Sequence, residues 1–192
     1  MIRPGERALT ERRIAVDIAA MTVFAALTAV GARLSFHLPY TPVPVTGQVF
    51  CVLLAGAVLG PRLGFASQVE YLAAGAAGLP VFSAGGGPAV LLGPTAGYLL
   101  CFPFAALAVG IIVARLGQST WSYATAGLAG VASIYLFGAS WYTVWSALIL
   151  GRPVGLAVVL AQSVVPFIAP DLVKAGLMAA AAPSARRRLR IW

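Results

Sequence analysis

Four ionisable residues stand inside long apolar runs: Arg33, Glu70, Asp171 and Lys174. A charge among lipid-like neighbours is costly, so such residues mark a binding site, an ion path or a buried pair. Asp171 and Lys174 are three apart, which puts both side chains on one face of a helix. They follow directly on Pro166-Phe-Ile-Ala-Pro170, where the prolines predict a kink or break that frees backbone groups to meet a ligand. The competing explanation is an internal salt bridge that only holds the helix in place. Glu70 lies mid-run, beyond snorkelling reach, so it is expected to be protonated, paired with Lys174 or an arginine, or turned to a wet cavity. Arg33 lies near the end of its run, where it either snorkels to the interface or joins the site. Gln48, Gln68 and Gln162 are softer candidates, because helix-to-helix hydrogen bonds explain them equally well.

Other chemistries find little support. His37 is the single histidine and has no Cys or carboxylate cluster at ligand spacing, so no metal site is expected. Cys51 and Cys101 fall in apolar runs and read as small buried hydrophobes. The stretch Gly87 to Gly93 lacks the spacing of a phosphate-binding loop, and Pro94 stands where that loop needs lysine. ATP hydrolysis, where needed, must come from another chain. An intramembrane enzyme using Glu70 and Asp171 as acid and base is the alternative from a different class. No nucleophile–base pairing accompanies it, and no cofactor is expected.

The elements that position these residues follow from composition. Of the 192 residues, 60% are hydrophobic and 9% charged, and the mean hydropathy is +0.93. A soluble domain carries about 25% charged residues, so this chain cannot cover a water-facing globule. The apolar runs are continuous rather than alternating, which selects helices over a barrel. The net charge of +8 does not point to nucleic acid, because Arg3, Arg7, Arg12 and Arg13 cluster at one end and Arg186, Arg187, Arg188 and Arg190 at the other. They read as anchors to anionic membrane lipid. Glu6, Glu11 and Asp17 argue against a cleaved signal peptide.

Six membrane spans are expected, at about 14–36, 47–59, 63–78, 95–113, 123–148 and 154–182. The fold class is therefore an all-α integral membrane bundle. Residues 1–13 form a basic cytoplasmic N-terminus, 14–182 the six-helix bundle, and 183–192 a basic cytoplasmic tail, all within a single membrane domain. The second span is short, so part of the preceding proline segment is expected to reach into the membrane. With both termini inside, Arg62 and Arg115 lie in inside connections and Arg152 alone dissents. The proline-rich loop at 37–46 and the Gly-rich loop at 81–94 then lie outside. Trp121, Tyr123, Trp141, Tyr142 and Trp145 suit interfacial belts. Ala25-x-x-x-Ala29 and Gly56-x-x-x-Gly60 permit close helix approach, within the bundle or to a second membrane protein. No sequence repeat relates the two halves.

Five segments carry a resemblance: Leu38-Pro-Tyr-Thr-Pro-Val-Pro-Val-Thr46, Leu59-Gly-Pro-Arg-Leu-Gly64, Gly75-Ala-Ala-Gly-Leu-Pro-Val-Phe82, Leu92-Gly-Pro-Thr-Ala-Gly-Tyr98 and Pro166-Phe-Ile-Ala-Pro-Asp-Leu-Val-Lys-Ala175. In order and spacing, over roughly residues 20–180, they resemble the BioY family, the biotin-binding S-components of energy-coupling-factor transporters. The resemblance implies a six-helix, non-enzymatic vitamin-binding subunit of a bacterial or archaeal cell membrane, with its pocket near the outer face. Its partners would be a transmembrane coupling protein and two ABC-type ATPases, with Ala25 and Ala29 matching the small residues that contact the coupling protein. An S-component for another small vitamin is the nearest alternative.

Biotin's chemistry suits the candidates. Its carboxylate needs a cation, with Lys174 the first choice and Arg33 the second. Its ureido ring needs an acceptor and a donor: Asp171 accepts, while Ser83 and Gln48 do either. Its thiophane ring and tail want walls such as Tyr98, Phe82 and Tyr71. Asp171 and Lys174 can also exchange these roles or pair with each other, and Glu70 has no assigned role. The Gly-rich loop departs from the family in offering Ser83 as its one polar ligand group.

Overall fold

The computed structural model describes residues 4–149, 151 and 153–189. Arg3, Arg152 and Arg190, used above to orient the chain, lie outside the described residues. Helix α1 spans Pro4–Arg33, opening on a proline whose fixed φ suits a first turn. It buries Phe24, Ala25, Thr28, Gly31 and Ala32 and presents Val23, Leu27 and Val30 outward, a division that suits an apolar solvent on the outer side. Its end rests on the start of the next helix. A Cβ on Gly31 would lie 2.9 Å from the Gly47 carbonyl carbon, so the contact requires glycine.

Two short antiparallel strands follow, β1 (Ser35–Phe36) and β2 (Val45–Thr46), paired Ser35 to Thr46 and Phe36 to Val45. They close the base of the proline loop, whose Thr41 and Val43 are buried.

Helix α2 (Gln48–Ala76) is two arms, residues 48–59 and 61–76, separated by Gly60 at φ 80° and ψ 179°. Gln48 Nε2 lies 2.5 Å from Tyr71 Oη, whereas 23 residues of straight helix would set them about 35 Å apart. The arms therefore fold back as a hairpin, and Gly64 packs on Gly56. They correspond to the second and third expected spans. Twelve residues in the first arm rise only about 18 Å, short of the roughly 30 Å of a hydrocarbon core. Beside its start the proline loop buries Thr41, Val43 and Val45, while His37, Pro39, Tyr40 and Pro42 stay exposed.

Residues 77–95 cross between helices and contain a 3-10 turn at Pro88–Leu92. Helices α3 (Ala96–Leu116) and α4 (Thr120–Ile149) follow. The expected sixth span is divided into α5 (Leu156–Ser163) and α6 (Val165–Leu189), with the break at Val164, φ −130° and ψ −59°. Pro166 sits in the first turn of α6, where its missing N–H costs nothing, so the break falls just before it. Pro170 is carried inside the helix without ending it. α6 also runs past residue 182, placing Arg186, Arg187 and Arg188 in its last turn, where cations are favoured by the helix dipole.

The bundle closes on small residues. A Cβ on Gly56 would stand 2.2 Å from Ala106 O of α3, one on Gly110 2.5 Å from Pro61 N, and one on Gly127 3.1 Å from Ala175 Cβ of α6. In lipid, where apolar burial drives little association, such close backbone approach supplies the packing. Cys101 is buried and Cys51 half-buried, both unpaired.

Candidate functional site

At the loop end of the bundle the helices part around a hollow. Its walls come from the proline loop (Val43, Pro44, Thr46), the start of α2 (Gln48, Val49), the start of α3 (Tyr98, Leu99, Phe102), mid-α4 (Ile134, Tyr135) and the first turns of α6 (Phe167, Asp171, Lys174), with Ser83 and Thr95 at the rim. The enclosed space is about 50 Å³, less than a small molecule fills, so the walls must part to admit one.

Asp171 and Lys174 both face this hollow. Lys174 Nζ donates to Asp171 Oδ1 at 2.5 Å, and the two side chains are 15% and 4% exposed. Tyr135 Oη donates to Asp171 Oδ2 at 2.9 Å. The carboxylate thus has a charged donor on one oxygen and a phenol on the other, and each oxygen keeps a lone pair. The ammonium has two further N–H groups to offer. A pair that shared only its own charge would be an expensive way to hold a helix; this one is set where an incoming ligand can use what remains of both groups.

The other candidates divide into two groups. Gln48, Ser83 and Tyr98 line the hollow alongside the pair. Tyr71, Phe82, Glu70 and Arg33 do not. Tyr71 is buried behind Gln48: its hydroxyl takes the amide N–H of Gln48 and donates to Val81 O at 3.2 Å, and its ring stacks on Phe102 at 6.3 Å between centroids. Phe82 is fully buried, edge-on to Tyr71 at 5.4 Å, its ring filling the space where a side chain on Gly75 would go. It anchors the Gly-rich loop. Arg33 caps the end of α1 and donates to the Pro80 carbonyl, tying α1 to that loop. Glu70 is half-buried on the second arm of α2. Gln68 accepts a bond from Thr28 at 3.3 Å, the helix-to-helix role. Gln162 receives the Tyr142 hydroxyl on Oε1 at 2.8 Å. Of the small residues on α1, Ala25 is buried against the core and Ala29 half-buried.

His37 lies away from the pair, lining a second hollow between the proline loop and the Gly-rich loop that shares Pro44, Ser83 and Thr95 with the first. Among the described residues no cluster of three or more His, Cys, Asp or Glu is placed to hold a metal. Sequence reasoning missed Tyr135. Its signal was a lone phenol in the middle of an apolar run, since a hydroxyl in lipid must find a partner within the protein.

Fold and hollow define a class: a multi-pass helical membrane protein with a hollow inside its bundle that carries a charged pair on its wall. The chain belongs to the BioY family, whose model matches residues 6–191. It is 44% identical over 84% of its length to a probable biotin transporter BioY of Pyrococcus horikoshii, covering 90% of that protein. To the biotin transporter BioY of Thermotoga maritima it is 43% identical, over 60% of this chain and 68% of that one. Its fold matches the 2.1 Å crystal structure of the S-component for biotin from an ECF-type ABC transporter, with TM-score 0.78 and 26% identity over 99% of this chain and 95% of the other.

Proposed function

We propose that this chain is the substrate-binding subunit of a biotin uptake system and holds biotin in the hollow at the loop end of the bundle. The observation that carries the reading is the Asp171–Lys174 pair, set at the wall of the hollow with Tyr135 orienting the carboxylate. Lys174 offers two free N–H groups to an anionic or carbonyl oxygen, and Asp171 accepts from an N–H of the ureido ring. Gln48 and Ser83 supply further donors and acceptors, and Tyr98 and Phe102 the apolar walls. The family membership and the names of the relatives support the same ligand.

The protein carries no phosphate-binding loop, so its work is capture and delivery, with energy from partner chains: a transmembrane coupling protein and two ABC-type ATPases. Ala25 is taken up by the chain's own core, which corrects its expected role, so on α1 the half-buried Ala29 is the proposed contact with the coupling protein. We place both termini in the cytoplasm, because Arg62 at the α2 turn, Arg115 at the end of α3 and the arginines ending α6 then share the inner side. The hollow opens outward in that orientation.

The test is radiolabelled biotin binding by purified protein, wild type against Asp171→Asn and Lys174→Ala. Losses of at least tenfold in both variants are expected; undiminished binding in both would remove the site. A thermal-shift panel of vitamins checks the ligand, since only a molecule bound by the folded form raises its melting temperature. A shift with a different vitamin and none with biotin would transfer the assignment to that vitamin.

A further inference from the structure

The break between α5 and α6 leaves backbone carbonyls without their usual partners. Gln162 O would be bonded by the N–H four residues on, but residue 166 is proline and has none. Ser163 O loses its bond as well, because Phe167 N turns to Val164 O at 3.0 Å. Both carbonyls are taken up by side chains from elsewhere in the fold. Tyr98 of α3 donates its hydroxyl to Ser163 O, and Thr41 of the proline loop donates to Gln162 O at 2.5 Å.

Thr41 does more than cap a carbonyl. Its Oγ1 also accepts the N–H of Val43 at 3.1 Å, a turn that the side chain makes with its own backbone two residues on. A hydroxyl has one proton and two lone pairs, so both bonds coexist. The chain of contacts runs from Val43 N–H through Thr41 Oγ1 to Gln162 O. Val43 and Pro44 line the hollow from the proline loop, and Phe167, Asp171 and Lys174 line it from the turns of α6 just after the break. Thr41 is buried and does not itself line the hollow.

We infer that Thr41 is a positioning residue for the ligand site: its hydroxyl holds the proline-loop wall in register with the α6 wall that carries Asp171 and Lys174, and so sets how long a ligand is gripped between them. The inference rests on the reading of the hollow as the biotin site. A ligand clasped by two walls leaves when one swings away, so loss of the tie acts on dissociation. Entry also needs the walls to part, so loss of the tie eases association a little and dissociation more, because a displaced wall grips the bound ligand less well.

The experiment compares Thr41→Val, nearly isosteric but without the hydroxyl, with Thr41→Ser, which keeps it. Biotin association and dissociation rates are measured on purified protein, alongside the melting temperature without ligand. Thr41→Val is expected to speed dissociation about tenfold, as expected for one hydrogen bond, with association within about threefold of wild type. Thr41→Ser is expected to stay within about twofold on both rates. Wild-type rates in Thr41→Val, equal acceleration of both rates, equal impairment in Thr41→Ser, or a loss of binding matched by a collapse in melting temperature would each overturn the proposal. Hydrogen exchange of the ligand-free protein over residues 38–46 separates this failure from failure of the biotin reading. If wild type does not bind biotin, the ligand is wrong. The tie itself then stands if Thr41→Val, and not Thr41→Ser, exchanges faster there, and falls if both exchange as wild type does.

Discussion

Gln48 and Tyr71 face each other across the α2 hairpin, the amide nitrogen 2.5 Å from the phenol oxygen, yet only Gln48 reaches the hollow. Tyr71 also donates to Val81 O, so one hydroxyl orients a lining side chain and pins the start of the Gly-rich loop. Tyr71→Phe would keep the stacked rings and strand both partners. The expected result is biotin binding weakened by about three- to tenfold, in line with about 0.5–1.5 kcal/mol for one net hydrogen bond. Titration by isothermal calorimetry measures it, and an unchanged affinity would separate Gln48 from its support.

Tyr135 presents a stronger case, because its partner is a carboxylate. A hydrogen bond to a charged group contributes about 1.5–3 kcal/mol. Tyr135→Phe leaves Asp171 Oδ2 without its phenol and free to rotate toward Lys174. We expect equilibrium binding of labelled biotin to weaken by at least tenfold. Equal binding by Tyr135→Phe and wild type would show that Lys174 alone orients Asp171.

These two tyrosines mark the limit of what the sequence tells. The runs of apolar residues and the Gly60-Pro61 and proline-loop interruptions define the helices, and the (i, i+3) spacing of Asp171 and Lys174 already puts both on one face. What a hydropathy pattern lacks is partners across the bundle. Nothing in a linear reading distinguishes Tyr135, which touches Asp171, from Tyr71, which stands one layer back. Likewise Phe82 looks like a wall residue until Gly75 is seen to leave a space for its ring. Pro166 and Pro170 predict a kink or break in the sixth span but not its place: the first turn of α6 tolerates Pro166, and the irregular residue, Val164, lies upstream. The turns capped by Thr41 and Tyr98 depend on residues over sixty positions apart, a distance at which sequence periodicity carries no signal.

Arg33 and Glu70 test the boundary of the site from the other side. Arg33 is committed to the Pro80 carbonyl, and neither residue lines the hollow. Arg33→Gln and Glu70→Gln are therefore expected to bind biotin within about twofold of wild type, while Arg33→Gln loosens the loop that Pro80 begins. Filter binding gives the first result and limited proteolysis near residues 78–87 the second. A loss above tenfold for either variant would mean that the hollow extends to it in the bound state.

The glycines offer a test of the packing that brings the site together. A Cβ on Gly56 would meet Ala106 O at 2.2 Å, and backbone cannot yield as a flexible side chain can. Gly56→Ala must push α2 and α3 apart, and overpacking of this kind costs about 1–3 kcal/mol. Gly176, inside α6, has nothing within 4 Å of its would-be Cβ, so Gly176→Ala gains helix propensity, about 0.8–1.0 kcal/mol in model helices. The two substitutions add the same methyl group to the same protein and should move its melting temperature in detergent in opposite directions, down for Gly56→Ala and up for Gly176→Ala. Because α3 carries Tyr98 and Phe102 into the hollow, Gly56→Ala should also weaken biotin binding, and Gly176→Ala should not. A Gly56→Ala protein as stable as wild type would show that the α2–α3 contact is looser than the 2.2 Å approach requires.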